Sequence, residues 1–201
     1  KAIEINPQFW PVFNVKGNAK NELKDYIGAI DDYSKAIEIN PENEDAYKNR
    51  GSAKHELKNY KGAIKDFSKA INIDPNDENS FFYRGIAEIN LKEYNSAIED
   101  FSKAIEINPQ NANAYNNRGI AKKALKDYYG AIEDYSKAIE INPQFESAYH
   151  NRGSSKKALK DYIDAIDDYS KAIEINPQYT NAYHNRGNAK KEFGDQNGAT
   201  E

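Results

Sequence analysis

The chain has 201 residues, of which 38% are hydrophobic and 30% charged, and its formal net charge is −4. This charge excludes a general nucleic-acid binder, which needs a dense basic face, and no apolar run is long enough for a membrane span. The absence of cysteine excludes disulfides, thiolate metal sites and cysteine nucleophiles; it leaves the compartment unassigned, with a cytoplasmic location favoured.

Three residue types recur at intervals of 34 residues along the chain. They are proline from position 7 to 177, glycine from position 17 to 187 and alanine from position 29 to 199. A fixed period of this length indicates a repeat protein. The period divides the chain into residues 1–9, which end a preceding repeat, five complete repeats at 10–43, 44–77, 78–111, 112–145 and 146–179, and an incomplete sixth repeat at 180–201. Because the pattern is already under way at the first residue, we expect a fragment of a longer protein.

The spacing of apolar residues predicts two helices in each repeat. In the second repeat, Ala63, Phe67 and Ala70 form a stripe at i, i+4 and i+7 of the later helix. Asn59 is placed to cap this helix, and Pro75 follows its end, because the residue before a proline is driven out of the α region. The sequence therefore predicts an all-α chain of consecutive helix pairs.

These positions resemble the repeat of the tetratricopeptide repeat family, whose pattern is an aromatic residue, glycine, alanine, a second aromatic residue, alanine and proline. The second repeat meets this pattern with Tyr47, Gly51, Ala63, Phe67, Ala70 and Pro75. The resemblance implies a right-handed superhelical solenoid of antiparallel helix hairpins, in which the first helix of each repeat lines a concave groove. Positions five, six, nine and twelve of each repeat would then face the groove.

One departure from the family pattern places a charge beside the packed face. The large apolar residue expected just before the glycine is arginine in five repeats, as at Arg50, and an aspartate such as Asp66 lies on the second helix. A charge near the core is costly unless it is paired. We expect an internal arginine–aspartate pair in each middle repeat; the alternative is that these arginines bind an anion.

Asparagine holds position six in four repeats. These residues are Asn49, Asn117, Asn151 and Asn185. A side-chain amide offers both a donor and an acceptor, which suits the backbone of an extended peptide. The alternative is that each asparagine bonds its own helix or a neighbouring one.

The third repeat carries large apolar residues where other repeats carry polar ones. These are Phe82, Tyr83, Ile86 and Ile89, with Ile120 of the fourth repeat expected beside them. Phe82, Ile86 and Ile89 are spaced i, i+4 and i+7, which is a second apolar stripe facing away from the hairpin partner. A surface of this kind indicates a contact with a partner; the alternative is local packing against Phe81 and the previous repeat.

Lysine holds position twelve in the last three repeats. The lysines are Lys123, Lys157 and Lys191, and His150 and His184 share their edge of the expected groove. These residues would make that edge basic and favour acidic side chains in a partner. Two histidines without cysteine or a His-x-x-x-His pair give little support for a metal site, so no metal and no cofactor is expected.

The sequence predicts a protein-binding scaffold rather than an enzyme, since it contains no phosphate loop, nucleophile elbow or kinase motif. The expected partner is an extended or helical protein segment with hydrophobic and acidic residues. The asparagines, the apolar third repeat and the basic edge would hold it. Homotypic assembly of the repeat array and service as the regulatory arm of a larger enzyme are the alternatives.

Overall fold

The computed structural model describes residues 10–198, which form eleven α-helices and no β-strand. The helices are α1 (Trp10–Glu22), α2 (Tyr26–Ile39), α3 (Glu44–Glu56), α4 (Tyr60–Ile73), α5 (Glu78–Leu91), α6 (Tyr94–Ile107), α7 (Ala112–Ala124), α8 (Tyr128–Ile141), α9 (Glu146–Ala158), α10 (Tyr162–Ile175) and α11 (Thr180–Gly198). They follow one another as antiparallel pairs, which confirms the predicted all-α hairpin architecture. Within this range no helix combines the length and apolarity that crossing a bilayer requires.

The helices fall into two compact bodies. The N-terminal body contains α1–α6 and ends at Ile107, and the C-terminal body begins at Asn108 and contains α7–α11. In the N-terminal body, α2 packs on α3 and α4 on α5, so each hairpin contacts the next; in the C-terminal body, α8 packs on α9 and α10 on α11. Each body is therefore a stack of hairpins with a core shared between neighbours.

Short side chains at the turns start the second helix of each hairpin. The carboxamide oxygen of Asn59 accepts a hydrogen bond from the backbone N–H of Gly62 and so caps α4. The equivalent caps of α2, α8 and α10 are Asp25, Asp127 and Asp161. The predicted cap at Asn59 is confirmed, and three further repeats have a cap at the same site.

A lysine in the left-handed backbone region lies at the turn inside each of the five complete hairpins. The lysines are Lys24, Lys58, Lys92, Lys126 and Lys160, and their φ angles run from 59° to 65°. A residue with a Cβ is disfavoured there, and glycine is the usual occupant of such a helix end. The sequence pattern therefore did not predict this conformation.

The core of each hairpin lies where a glycine meets an aromatic ring. A Cβ added at Gly51 would lie 3.0 Å from the ring of Phe67, so the two helices can cross this closely only because the side chain is absent. Ala63 is fully buried at the same crossing, and Ala87 of the next repeat packs on both Ala63 and Phe67. The C-terminal body has the same arrangement between α10 and α11.

Arginine–aspartate pairs join the two helices of the middle repeats, as predicted. Nε of Arg50 donates to Oδ2 of Asp66 at 2.9 Å, and Nη2 donates to Oδ1 at 2.8 Å. The same two-bonded pairs join Arg84 to Asp100, Arg118 to Asp134 and Arg152 to Asp168. Two further groups complete the network in the second repeat: Arg50 Nη1 donates to Ser34 Oγ of the preceding repeat at 2.9 Å, and Lys54 Nζ lies 2.6 Å from Asp66. The arginines are thus bound internally.

The last helix departs from the hairpin pattern. α11 continues without a break from Thr180 to Gly198, whereas α9 ends after 13 residues. A Cβ added at Gly187 would have no neighbouring atom within 4 Å. Within the described residues, no second helix packs against this glycine.

Candidate functional site

Two of the apolar residues predicted in the third repeat line a cavity of the N-terminal body. Tyr83 and Ile86 on α5 enclose about 120 Å³ together with Phe67 of α4 and residues of α3 such as Ser52. The Tyr83 ring stacks on the Phe67 ring at 6.1 Å between centroids, and 43% of Tyr83 is still exposed. This cavity offers apolar contact to a side chain from outside the chain.

The other three predicted apolar residues lie elsewhere. Phe82 is half-buried, and its ring lies edge-on to Phe101 of α6 at 5.8 Å between centroids. Phe82 therefore packs locally, against the second helix of its own repeat. Ile89 is half-buried and is not among the residues that line the cavity, and Ile120 belongs to α7 of the C-terminal body.

The asparagines of position six use their amide nitrogens within the protein. In the N-terminal body, Asn49 Nδ2 donates to Asn18 Oδ1 at 3.2 Å, and this oxygen also accepts from the Tyr33 hydroxyl at 2.8 Å. In the C-terminal body, Asn117 Nδ2 donates to the backbone carbonyl of Asn113 in its own helix at 2.9 Å. These two residues make the intramolecular contacts that were the alternative to peptide binding.

The last two asparagines each contact position five of the preceding repeat. Asn151 Nδ2 donates to Asn116 Oδ1 at 3.1 Å, and Asn185 Nδ2 lies 2.9 Å from Nε2 of His150. These two amide nitrogens therefore link neighbouring first helices.

The two predicted histidines occupy different environments. His150 packs between the rings of Tyr169 and Tyr179, with centroids 5.6 Å and 5.0 Å away. Burial, and next the positive charge of Lys123, lower the pKa of His150, so this ring is neutral at neutral pH. His184 is exposed, and its Nε2 lies 3.0 Å from Nδ2 of Asn188 in its own helix.

The three predicted lysines do not form a uniform basic edge. Burial lowers the pKa of Lys123, and Lys157 Nζ is paired with Glu192 Oε1 at 2.9 Å. Lys191 is exposed, and no side chain described as far as Gly194 forms an ion pair with it. Of the predicted set, Lys191 is thus the residue most available to an acidic partner.

A second cavity of the N-terminal body holds residues that the sequence pattern did not single out. It encloses about 450 Å³ and is lined by Glu22, Tyr26, Ser52, Glu56 and Tyr83. The two glutamates hold position thirteen of their repeats. Variation at position thirteen could have identified these residues, since the fourth and fifth repeats have alanine there.

Glu88 is a buried carboxyl group without an ion-pair partner in the described part of the chain. It replaces the lysine of the neighbouring repeats at position eleven, is 7% exposed, and lies within hydrogen-bonding reach of the Asp100 carboxylate, to which it can donate when protonated. Burial, and next the negative charge of Asp100, raise the pKa of Glu88 to about 8. This group is therefore largely protonated at neutral pH.

The described residues contain no group of three or more histidines, cysteines, aspartates or glutamates arranged to hold a metal ion. The carboxylates of the buried network are instead occupied by arginine and lysine. The two cavities at Tyr83 and the exposed first-helix residues are places where a ligand could contact the N-terminal body.

Comparison with known protein families identifies the repeat. The family model described as tetratricopeptide repeat matches residues 44–77, 112–145 and 147–179. The model described as TPR repeat matches residues 17–58 and 87–126. No curated protein matches the sequence.

Several solved structures share the fold. MamA is 26% identical, with 81% of this chain and 95% of MamA covered at a TM-score of 0.77. YrrB, described as a TPR protein with an unusual peptide-binding site, is 23% identical, with 92% of this chain and 95% of YrrB covered at a TM-score of 0.79. PilF of Pseudomonas aeruginosa is 19% identical, with 95% of this chain and 87% of PilF covered at a TM-score of 0.79.

Proposed function

Because the chain belongs to the tetratricopeptide repeat family, we propose that it is a protein-interaction scaffold that holds an extended or helical segment of another protein and catalyses no reaction itself. The surface used is the exposed face of the first helices. Its apolar anchor lies in the N-terminal body.

One observation carries this proposal: an open apolar cavity at the side chains of Tyr83 and Ile86. The equivalent positions six and nine are Asn49 and Ser52 in the second repeat, and among the repeats only the third has an apolar or aromatic residue at both. Exposed apolar surface of this kind is a recurrent mark of protein contacts. An aliphatic or aromatic side chain of a partner fits it.

Polar residues supply the remaining contacts in the proposal. The amide oxygens of the position-six asparagines accept hydrogen bonds from the backbone N–H groups of the bound segment. Lys191, at the exposed end of the predicted lysine set, favours an acidic side chain, with Lys157 available if its pair with Glu192 opens. Exposed charges of this type steer association more than they add affinity.

A random peptide library displayed on phage tests the proposal. We expect the wild-type protein to select peptides with a shared apolar residue, and Ile86→Ala to bind those peptides more weakly. Ile27→Ala is the matched control, because Ile27 is 67% exposed on α2, a second helix, and should leave binding unchanged. Peptides that bind wild type and Ile86→Ala alike would place the anchor elsewhere.

Homotypic assembly is the second candidate, and the surface of α1 favours it. Pro11, Val12, Val15 and Ala19 line an open cavity of about 430 Å³, and Val15 is 68% exposed. Packing against the same surface of a second copy would bury these apolar side chains. Light scattering over a concentration range tests this candidate: assembly through α1 predicts a mass that rises with concentration in wild type and is constant for Val15→Ser.

A further inference from the structure

We propose that the C-terminal body has a docking surface on the open side of α11, which takes one amphipathic helix of a partner protein. The surface is formed by Tyr183, Arg186, Gly187 and Lys190. The helix that it takes carries a small residue, an aspartate three residues later and an aromatic residue four residues later. This inference goes beyond the proposed function, because the surface is separate from the apolar anchor of the N-terminal body.

Gly187 is open where the equivalent glycines are covered. In each of the five complete hairpins, a Cβ added at the glycine would lie 2.5–3.1 Å from a ring atom of a tyrosine or phenylalanine on the second helix. These glycines, all buried, are Gly17, Gly51, Gly85, Gly119 and Gly153. Gly187 is exposed, and a Cβ added there would meet no atom within 4 Å. Because α11 continues through the positions at which the other hairpins turn, the described residues leave room for a helix beside Gly187.

Arg186 is held like the other arginines but lacks their carboxylate. Its Nη1 donates to Ser170 Oγ at 3.2 Å, and its guanidinium carbon lies 5.5 Å from the ring centroid of Tyr183. Arg152 makes the equivalent serine and tyrosine contacts and also donates from Nε and Nη2 to an aspartate of the second helix. Among the side chains described up to Gly194, none accepts from Nε or Nη2 of Arg186. These two donors are therefore positioned for a carboxylate.

Lys190 adds a second positive charge on the same side of α11. Three other repeats have a lysine at this position, and its Nζ lies 2.6–3.0 Å from the aspartate that also binds the arginine. Lys190 is exposed and has no carboxylate partner in the part of the chain whose side chains are described. Because residues four apart are neighbours on a helix surface, Arg186 and Lys190 can bind one carboxylate together.

The second helices of this chain show the shape and charge that fit such a surface. In α10, Ala165, Asp168 and Tyr169 are buried, and each has an atom 3.1–3.2 Å from a Cβ added at Gly153. Residues spaced i, i+3 and i+4 share one face of a helix. A partner helix with this spacing would place its small residue and its ring against Gly187, and its aspartate against Arg186.

A second copy of this chain does not offer such a helix. Asp168 is 4% exposed and Tyr169 is fully buried in its own hairpin. The aspartates and rings of the other second helices are buried in the same way. A copy exposes them only by opening a hairpin, which breaks a buried ion pair and removes the apolar core. The occupant is therefore a helix of a different protein, bound in the way that an amphipathic helix fills a groove.

A synthetic peptide of residues 161–177 tests the surface, because it contains the α10 pattern and its cap Asp161. The fluorescein-labelled peptide is titrated with the 201-residue protein, and fluorescence anisotropy gives the dissociation constant. We expect saturable binding. Asp168→Asn in the peptide should weaken binding by about tenfold or more, because the charge-assisted contact with Arg186 is lost. The control peptide Asp167→Asn removes the same charge at a position that is exposed in α10 and should bind as the unchanged peptide does.

Two protein variants show whether the peptide lies on α11. Gly187→Leu should leave the protein folded, since the added side chain meets no neighbouring atom, and should abolish saturable binding because leucine occupies the place of the aromatic ring. Arg186→Gln should weaken binding of the unchanged peptide by about tenfold and make it insensitive to Asp168→Asn.

Three results would each overturn the docking surface. They are the lack of saturable binding, equal affinities of the Asp168→Asn and Asp167→Asn peptides, and equal affinities of wild-type and Gly187→Leu protein for the unchanged peptide. Circular dichroism checks that Gly187→Leu keeps its helix content. If the variant loses helix, the two peptides and Arg186→Gln decide between the proposal and its rejection.

Discussion

At the scale of single residues, position eleven carries a lysine that pairs with an aspartate of the second helix in several repeats, and the third repeat has a glutamate there instead. Lys54 places Nζ 2.6 Å from Asp66, and Lys122 and Lys156 approach their aspartates in the same way. Glu88 stands at this position in the third repeat, where its partner Asp100 is also acidic. Two carboxyl groups in a buried site cannot both ionise without a penalty, so one keeps its proton.

The stability of the protein should therefore depend on pH through Glu88. Its folded-state pKa, about 8, lies above the usual glutamate value of 4.5, so the folded state holds a proton that the unfolded state releases. The stabilisation is complete below pH 4.5 and is lost as pH rises towards 8, by about 1.4 kcal/mol per pH unit. The free energy of unfolding of wild type and of Glu88→Gln can be measured with denaturant at several pH values. The difference, variant minus wild type, should rise as pH increases across this window.

The variant Glu88→Lys tests the same site by restoring the lysine of the neighbouring repeats. The lysine would reach Asp100 as Lys54 reaches Asp66, so this variant should be more stable than wild type at pH 8, whereas the exposed Glu38→Lys should change little. A Glu88→Lys variant that melts below wild type at pH 8 would contradict the account of this site.

The arginine–aspartate pairs predict an unequal double-mutant cycle in the second repeat. Asp66→Leu leaves both Arg50 and Lys54 without their carboxylate, whereas Arg50→Leu leaves Asp66 with Lys54. Asp66→Leu should cost about 3–5 kcal/mol, the larger loss, and the double variant Arg50→Leu Asp66→Leu should recover part of it. Additive losses, measured by urea unfolding, would show that the pair is not coupled.

At the scale of the helix, period and turn chemistry were sufficient to predict most of the fold. The 34-residue spacing, the cap at Asn59 and the glycine at Gly51 each depend on local geometry, and local geometry is what a sequence pattern records. The left-handed lysines were not predictable, since lysine at such a position is set by the hairpin that closes around it rather than by its own preference. The sequence pattern also did not predict that α11 is unbroken. Gly187 is present at the expected position, but no aromatic ring of a second helix packs against it.

Replacing one of these lysines by glycine should stabilise the protein. Lys58 has a φ of 59° and is exposed, so Lys58→Gly removes a left-handed penalty of about 1–2 kcal/mol against a smaller entropic loss. We expect a net gain of about 0.5–1 kcal/mol in guanidinium unfolding. Lys65→Gly, at an exposed position inside α4, is the control and should lose about 1 kcal/mol.

At the scale of the whole molecule, stability is a sum over hairpins and their neighbours, and the last helix has fewer of these contacts. Gly187 and Gly194 face no neighbouring atom within 4 Å. Amide hydrogen exchange should therefore be fastest in α11 from about Asn188 onward and slower in α7. Equal protection of the two helices would show that the array unfolds as one cooperative unit.

The candidate site was predictable only in part, because its contacts join residues of different repeats. Tyr83 and Ile86 were identified from their apolar character, but whether Phe82 faces outward depends on the rotation of α5 against Phe101. Lys157 was expected to contribute to a basic edge of the groove, yet Glu192 from the next repeat pairs with it. Such contacts follow from how hairpins stack, and a repeat pattern read along one chain does not contain them.

Binding of another protein's segment through an apolar anchor at Ile86 is tested most directly by the dissociation constant of a library-selected peptide at low and high salt. Ile86→Ala should weaken binding by roughly 1–3 kcal/mol at both salt concentrations, because lost apolar burial is not screened. Lys191→Gln should act on the association rate at low salt alone. An affinity loss in Ile86→Ala that disappears at high salt, or no loss at all, would contradict the claim.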